Sequence, residues 1–442
     1  MTEHFRIPDS LPGWLTRIET LHPREIDLGL DRAQEVSARM GLEHLHFPVV
    51  TVAGTNGKGS TVAMLEAILH EAGYRVGAYT SPHLLRYNER VRVGGVPADD
   101  AELCVAFERV ERQRGHTSLT YFEFGTLAAV ELLRARQVDI AVLEVGLGGR
   151  LDAVNLWDAD VAVISSIGID HTDWLGPDRE SIGREKAGIF RRGRPAVCGD
   201  PEPPATIAGQ AASIGADLWA IGRDFTFDRD AASWTWRCLR CGPGHMRAAL
   251  PFPAMRGAYQ LCNASGALMA LELLAPRFTV SQAQVRAGLQ QAILPGRFQT
   301  LPGTPLRVLD VAHNPQAAHA LASTLSEQKI SGRTLAVAGL LKDKAISEVL
   351  AELKGIVDAW YLTTLSTPRG ASAEQMQMAL AAAGVATAAG LFPDPVAAYA
   401  QALHDAGPAD RIVVFGSFHT VSAILRAVPS LHGTNGFRWE AP

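Results

Sequence analysis

The segment Gly54-Thr55-Asn56-Gly57-Lys58-Gly59-Ser60-Thr61 places three glycines and a lysine within eight positions. Glycines let a backbone turn tightly enough for several N–H groups to converge on phosphate oxygens. A helix starting at such a turn adds the positive end of its dipole. Lys58 would then lie against the β- and γ-phosphates of a nucleotide, and Ser60 or Thr61 could touch the phosphate or its metal. The pattern departs from the general G-x-x-x-x-G-K-[ST] form: Val52 stands at the first glycine position and Gly59 follows the lysine. A Gly-rich turn without a ligand is the alternative. It leaves a lysine at the mouth of the turn with no packing purpose.

The flanking pattern supplies the elements such a loop needs. An apolar run, PVVTVAG (48–54), precedes it and an amphipathic stretch, STVAMLEAILHEAG (60–73), follows, so a strand, a loop and a helix are predicted. RVGAYTS (75–81), DIAVLEVG (139–146), ADVAVISSIG (159–168) and PAVCG (195–199) read as buried strands. Helices are predicted over two short pieces of 13–42, with Asp31 as an N-cap, and over 122–137, 179–190, 258–274 and 281–292. The Trp234/Trp236 alternation within 224–250 suggests a small hairpin. LPGRFQTLPGTP lacks periodicity, so 295–305 is expected to be a linker between an N-terminal domain (1–294) and a C-terminal one (306–442). Beyond it strands and helices alternate again, as in a smaller doubly wound domain.

The length suggests about two to three domains. The 442 residues are 47% hydrophobic and carry a formal net charge of −5 with both signs interspersed, which argues against nucleic acid as the main partner. No run is long and apolar enough for a membrane span, and the N-terminus lacks the apolar core of a signal peptide. Five cysteines, an odd number in a long chain, do not suggest a disulfide framework. A reducing, cytoplasmic setting is expected. Cys238 and Cys241 form a CxxC; with His245 as the sole nearby third ligand, incidental thiols are expected rather than a zinc site.

IDLGLDR (26–32), GTNGKGS (54–60), TSPHL (80–84), NERVRV (88–93), FEFGT (122–126), LEVGLGGRLDAVN (143–155), GIDHTDWLG (168–176), REKAGI (184–189), PGRFQ (295–299), DVAHNP (310–315) and GSFHTV (416–421) follow one another along the chain. Together they resemble the folylpolyglutamate synthase/dihydrofolate synthase family of the Mur-ligase superfamily, in its bacterial form. The resemblance implies an N-terminal P-loop ATP-binding domain with a parallel-rich sheet and a smaller Rossmann-like C-terminal domain. It implies ATP-dependent ligation of L-glutamate to dihydropteroate and to the γ-carboxylate of reduced folates through an acyl phosphate.

Residue by residue, the resemblance assigns magnesium, at two positions, to Ser81, Glu144 and His171. Each is expected at or just beyond a strand end, where ligands of open α/β sheets collect. It makes Lys186 a carbamylated lysine. Phe122, Glu123, Phe124 and Asp152 are assigned to the pteroate or folate, with Val154 standing where many relatives have Thr. Asn263, Arg297 and Asp310 are assigned with the phosphate loop to ATP, and His313 and Ser417 to glutamate. Lys58, Lys186, Asp310 and His313 carry the catalytic roles. The active site is expected in the interdomain cleft, where closure would protect the acyl phosphate from water. Similar enzymes are monomers stimulated by potassium, which the resemblance extends to this chain although no residue displays it. Folylpolyglutamate synthase activity alone is the closest alternative. A cell-wall Mur ligase is disfavoured by SPHL, FEFGT and GLGGRLD, and an inactive nucleotide-binding regulator by the intact Lys58, Glu144, His171 and Lys186.

Overall fold

The computed structural model describes residues 7–24 and 26–428. The chain divides into two compact units: Met1–Ala254 with Leu261–Ile293, and Met255–Gln260 with Leu294–Pro442.

The first unit is built on strands β1 (Val49–Ala53), β2 (Val76–Tyr79), β3 (Val91–Val93), β4 (Val96–Pro97), β5 (Ile140–Glu144), β6 (Val161–Ile164), β7 (Pro195–Cys198) and β8 (Asp217–Ala220). They form one sheet in the order β4-β3-β2-β5-β1-β6-β7-β8. β2, β5, β1, β6, β7 and β8 run parallel, and β3 and β4 add an antiparallel edge. Every residue of β1, β2, β5 and β6 is buried, as expected for parallel strands with both faces covered. The chain steps from β1 over β5 to β2, returns to β5, then crosses to β6 on the far side of β1. That reversal creates a switch point at β1.

A separate antiparallel sheet joins β9 (Phe225–Arg229), β10 (Trp234–Cys238) and β11 (Met246–Leu250). Trp234 and Trp236 alternate inward and are fully buried, which explains their spacing. The expected hairpin is therefore present with a third strand added.

The second unit carries β12 (Gln299–Leu301), β13 (Leu306–Leu309), β14 (Thr334–Ala338), β15 (Ala359–Thr363), β16 (Gly390–Phe392) and β17 (Arg411–Phe415), in the order β12-β13-β17-β14-β15-β16. All pairs are parallel except β12 with β13. The last strand thus inserts between β13 and β14, and sets the ends of β13 and β17 side by side.

Three expectations need correction, and one helix is added. The 295–305 stretch is not a free linker: Gln299–Leu301 pairs with Leu309–Arg307 as an edge strand of the second sheet. Its prolines and glycines flank the strand rather than break it. Asp31 is the first residue of helix Asp31–Met40, whose N-cap is Leu30 without a side-chain bond; Asp31 acts as an acidic first-turn residue instead. Cys238 and Cys241 are joined as a disulfide, so they are not free thiols and offer no thiolate pair to a metal. Helix Asp100–Arg114 was not anticipated, although its signals are present. Asp99 and Glu102 form a capping box, and Leu103, Ala106, Phe107 and Val110 make its buried stripe. Among the described residues no helix is long and apolar enough to cross a membrane. The N-terminal residues 1–6, part of the segment read for a leader, lie outside the described residues.

Candidate active site

Four adjacent parallel strands, β2, β5, β1 and β6, deliver the predicted groups of the first unit at their carboxyl ends. Ser81 lies two residues past β2, Glu144 is the last residue of β5, the phosphate loop follows β1, and His171 lies on the loop after β6. With neighbouring strands about 4.8 Å apart, these ends line one edge of the sheet.

The loop after β1 is held open by its neighbours. Thr55 N–H donates to Ser166 O at 2.8 Å, Asn56 N–H to Ser166 Oγ at 3.1 Å, and Ser165 Oγ to Asn56 O at 2.6 Å. Thr55 also exchanges bonds with Gly168, accepting its N–H at 2.9 Å and donating to its carbonyl at 3.0 Å. Lys58 Nζ donates to the carbonyls of Gly54 (3.0 Å) and Thr55 (3.3 Å), so the ammonium curls over the loop it must serve. Gly57 caps helix Lys58–Glu71 in the left-handed region at φ 84°. A Cβ there would stand 2.3 Å from Asn263 Oδ1. Asn263 is thus brought to the phosphate loop, buried against Gly57.

That close approach predicts the behaviour of two alanine variants. Gly57 and Gly73 both have left-handed backbones, but space around Gly73 is open. Both substitutions carry the backbone cost of about 1 kcal/mol. Only Gly57→Ala must also displace Asn263, and it is expected to weaken ADP binding at least about tenfold, as seen by titration calorimetry, while Gly73→Ala leaves it unchanged. Equal affinities in the two variants would remove the packing argument.

Glu144 is buried, and Ser81 N–H donates to its Oε2 at 3.2 Å. His171 adopts φ 52° at the head of the short helix Thr172–Leu175, its side chain about one-third exposed. Among the described residues no three His, Cys, Asp or Glu side chains converge into a cation cage. The donors present suit magnesium nonetheless. That ion binds through one or two carboxylates and completes its shell with phosphate oxygens and water, and here one buried carboxylate lies beside a serine and a phosphate loop.

Lys186 ends helix Arg179–Lys186 and is buried. Burial pushes its amine down to about 7; the nearby Lys58 adds to the effect, and the Asp170 and Asp152 carboxylates oppose it. The GLGGRLD loop packs on the same helix end. A Cβ on Gly149 would come within 2.8 Å of Glu185 O and 2.9 Å of Lys186 O, and one on Gly146 within 2.6 Å of the Phe122 ring. These glycines let the loop lie flat between Lys186 and Phe122.

Asp152 organises that loop, accepting from Leu147 N–H at 2.8 Å and Val154 N–H at 3.0 Å. Burial raises its carboxyl to about 6, against those bonds and the Lys58 charge. A carboxyl held above its ordinary 3.8 contributes stability below that pH, and the contribution is lost as pH rises through about 6. Relative to the parent, Asp152→Asn should therefore gain about 1–3 kcal/mol of unfolding free energy between pH 4 and pH 7. A pH-independent difference in denaturant titrations would exclude the raised value.

The three residues of Phe122-Glu123-Phe124 separate in their surroundings. Phe122 is half-buried and packs on Gly146 and Tyr79. Glu123 is committed to a capping box with Thr120 and an ion pair with Arg32 at 3.1 Å. Phe124 is fully buried against Trp14 and Phe107. Phe122 is the ring beside the loop; Phe124 is core. Arg32 also holds Asp27, so the IDLGLDR segment is docked to the FEFGT helix through one guanidinium.

In the second unit, Asp310 follows β13 and Ser417 lies two residues past β17, with Asp310 N–H donating to Val414 O at 2.9 Å. The Asp310 carboxylate accepts from Phe298 and Ala312 N–H groups, both at 2.8 Å. Burial raises its pKa, while Arg297, those bonds and His313 pull it down. His313 Nδ1 is 2.8 Å from Val311 O, which assigns the proton to Nδ1 and leaves Nε2 as acceptor in the neutral ring. Phe418 is the common neighbour, with the Arg297 guanidinium 5.3 Å above its ring and His313 at 6.3 Å. The Ser417 hydroxyl is buried and caps helix Phe418–Ala427, accepting from Thr420 N–H at 3.0 Å.

Comparison with known proteins follows the same division. Residues 52–224 match the Mur ligase middle domain and residues 296–418 the Mur ligase glutamate ligase domain. The chain is 48% identical over 419 residues to the dihydrofolate synthase/folylpolyglutamate synthase of Escherichia coli (strain K12), covering 95% of each. The chain belongs to the dihydrofolate synthase/folylpolyglutamate synthase family. The Haemophilus influenzae relative of the same name is 40% identical, over 95% of this chain and 97% of its own. Among solved structures, E. coli FolC in complex with DHPP and ADP superposes with a TM-score of 0.90 at 46% identity, covering 96% of this chain and 99% of that one. The Yersinia pestis bifunctional enzyme complexed with AMPPNP and Mn ion superposes at 0.88 and 46%, covering 97% and 100%. Family membership sets aside the cell-wall ligase reading.

Proposed function

We propose that this chain ligates L-glutamate to dihydropteroate, forming dihydrofolate, and to the γ-carboxylate of reduced folates, with ATP as the driving substrate. The observation that carries the reading is the single sheet edge on which the phosphate loop, Ser81–Glu144 and His171 lie, with the GLGGRLD loop packed between Lys186 and Phe122. Relatives of the same family have been seen with ADP, AMPPNP, Mn, DHPP and L-glutamate.

An amide does not form from a carboxylate and an amine in water without activation. The acceptor's carboxylate oxygen attacks the γ-phosphorus and ADP leaves; the glutamate nitrogen then attacks the acyl carbon and phosphate leaves. The residues of this chain align and neutralise rather than react. Lys58 and the loop N–H groups draw charge from the phosphates. Ser81, Glu144 and His171 would hold magnesium, which would supply further neutralisation of the phosphoryl oxygens. Phe122 packs on the flat pterin, and Asp152 keeps the GLGGRLD loop in the shape that receives it. In the second unit, Arg297 and Asp310 serve the nucleotide. His313 serves the glutamate, and the helix that Ser417 caps presents its N-terminus to a carboxylate.

Isotope transfer tests the acyl phosphate directly. With the acceptor's carboxylate labelled with 18O, one labelled oxygen should appear in the phosphate released per amide formed. Unlabelled phosphate would exclude the intermediate.

A further inference from the structure

One buried guanidinium connects parts of the first unit that the reaction needs in register. Arg92, on the antiparallel edge strand β3, is 7% exposed. Its Nε lies 3.0 Å and its Nη2 2.7 Å from Glu66 Oε2, the side chain of a residue on the phosphate-loop helix Lys58–Glu71. Its Nη1 donates to Thr80 Oγ1 at 3.0 Å and to Glu89 O at 2.8 Å.

Each of those partners continues toward the proposed metal residues. Thr80 precedes Ser81, whose N–H donates to Glu144. Glu89, whose carbonyl Arg92 holds, uses its carboxylate to accept the N–H groups of Leu84 (2.7 Å), Leu85 (2.7 Å) and Arg86 (2.6 Å), and so fixes the loop that begins at Ser81. The Glu144 charge is also near enough to act on the guanidinium.

A buried ion pair is poor evidence of stabilisation, because desolvation offsets most of the Coulomb gain. Two apolar residues could fill the same space. They could not grip a helix, a strand end and a loop carbonyl at fixed angles, which a planar guanidinium with five donors can.

We infer that Arg92 is a positioning residue for the divalent cation: through Glu66, Thr80 and Glu89 it holds the phosphate-loop helix and the Ser81–Glu144 corner in the spacing the metal requires. This rests on the assignment of Ser81 and Glu144 to the metal. Arg92 acts through these partners, not as a ligand itself. Residues of this outer kind commonly change metal affinity about 10- to 100-fold when replaced.

The test is a magnesium titration of glutamate-dependent ADP release in Arg92→Lys, with Mn2+ binding in the presence of AMPPNP followed by electron paramagnetic resonance. Lysine keeps a cation beside Glu66 but cannot reach all three partners together. Half-saturation by either ion should rise at least about tenfold while KM for L-glutamate is unchanged. Thr80→Val removes one acceptor and no charge; it should shift both titrations in the same direction and serves if Arg92→Lys fails to fold. A lowered melting temperature with unaltered metal titrations would reduce Arg92 to a purely structural role and overturn the inference. Glu144→Gln separates the two levels. If it too leaves the titrations unmoved, the metal assignment itself fails and the inference falls with it. If Glu144→Gln shifts them and Arg92→Lys does not, the inference alone is wrong.

Discussion

Lys58→Ala should release ADP about 10²- to 10³-fold more slowly than the parent at saturating acceptor and glutamate, the usual cost of deleting one preorganised group that stabilises transition-state charge. The fold should survive, because the loop has anchors at Ser165, Ser166 and Gly168 that do not involve the Lys58 side chain. Steady-state ADP release and thermal unfolding measured on the same preparation check both halves. Parental turnover would remove the phosphate-loop assignment. Lost turnover with a melting temperature many degrees lower would mean that the lysine chiefly holds the loop together.

Lys186→Ala should lose at least about 10²-fold in kcat, because it would remove a group that helps hold the metal ions at the phosphoryl transfer. We propose that the group is a carbamate rather than an ammonium. Burial and Lys58 hold the amine near 7, so around neutral pH a large share is uncharged and can attack CO2, releasing one proton. The resulting anion would be attracted by Lys58 and opposed by burial and by the Asp170 and Asp152 carboxylates, so it would need the divalent cation beside it. The sign of the pH dependence follows: an amine with a depressed pKa becomes nucleophilic as pH rises through about 7, where an ordinary lysine at 10.5 stays protonated. Parent protein in 13C-bicarbonate should therefore show a carbamate resonance that grows from pH 6 to pH 8 and is absent in Lys186→Ala. Full activity in parent protein with no such resonance would refute the modification.

Much of this architecture was legible in the sequence, because local rules and global fold agree there. The β1 loop, the buried strands and the strand-end positions of Ser81, Glu144 and His171 follow from continuous apolar runs ending in glycine-rich or polar turns. What escaped was set by partners distant in sequence. Phe122 and Phe124 look alike in FEFGT, yet packing on Gly146 separates one from the other, which is buried against Trp14 and Phe107. Nothing in the sequence gives Arg32 and Arg92 their roles until Glu123 and Glu66 are brought to them. Ser417 is assigned to glutamate by resemblance, but its hydroxyl is spent on Thr420, which only the helix geometry discloses. The 295–305 segment carries the composition of a loop; its strand Gln299–Leu301 exists because β13 offers an open edge.

The most direct test is product analysis. Purified protein with ATP, magnesium and L-glutamate should convert dihydropteroate and, separately, tetrahydrofolate to products heavier by one glutamyl residue, with one ADP released per bond. Addition to both acceptors is the predicted result. Tetrahydrofolate alone being extended would contradict the bifunctional assignment and turn attention to the loop around Val154, and glutamate addition to neither would contradict the account at its centre.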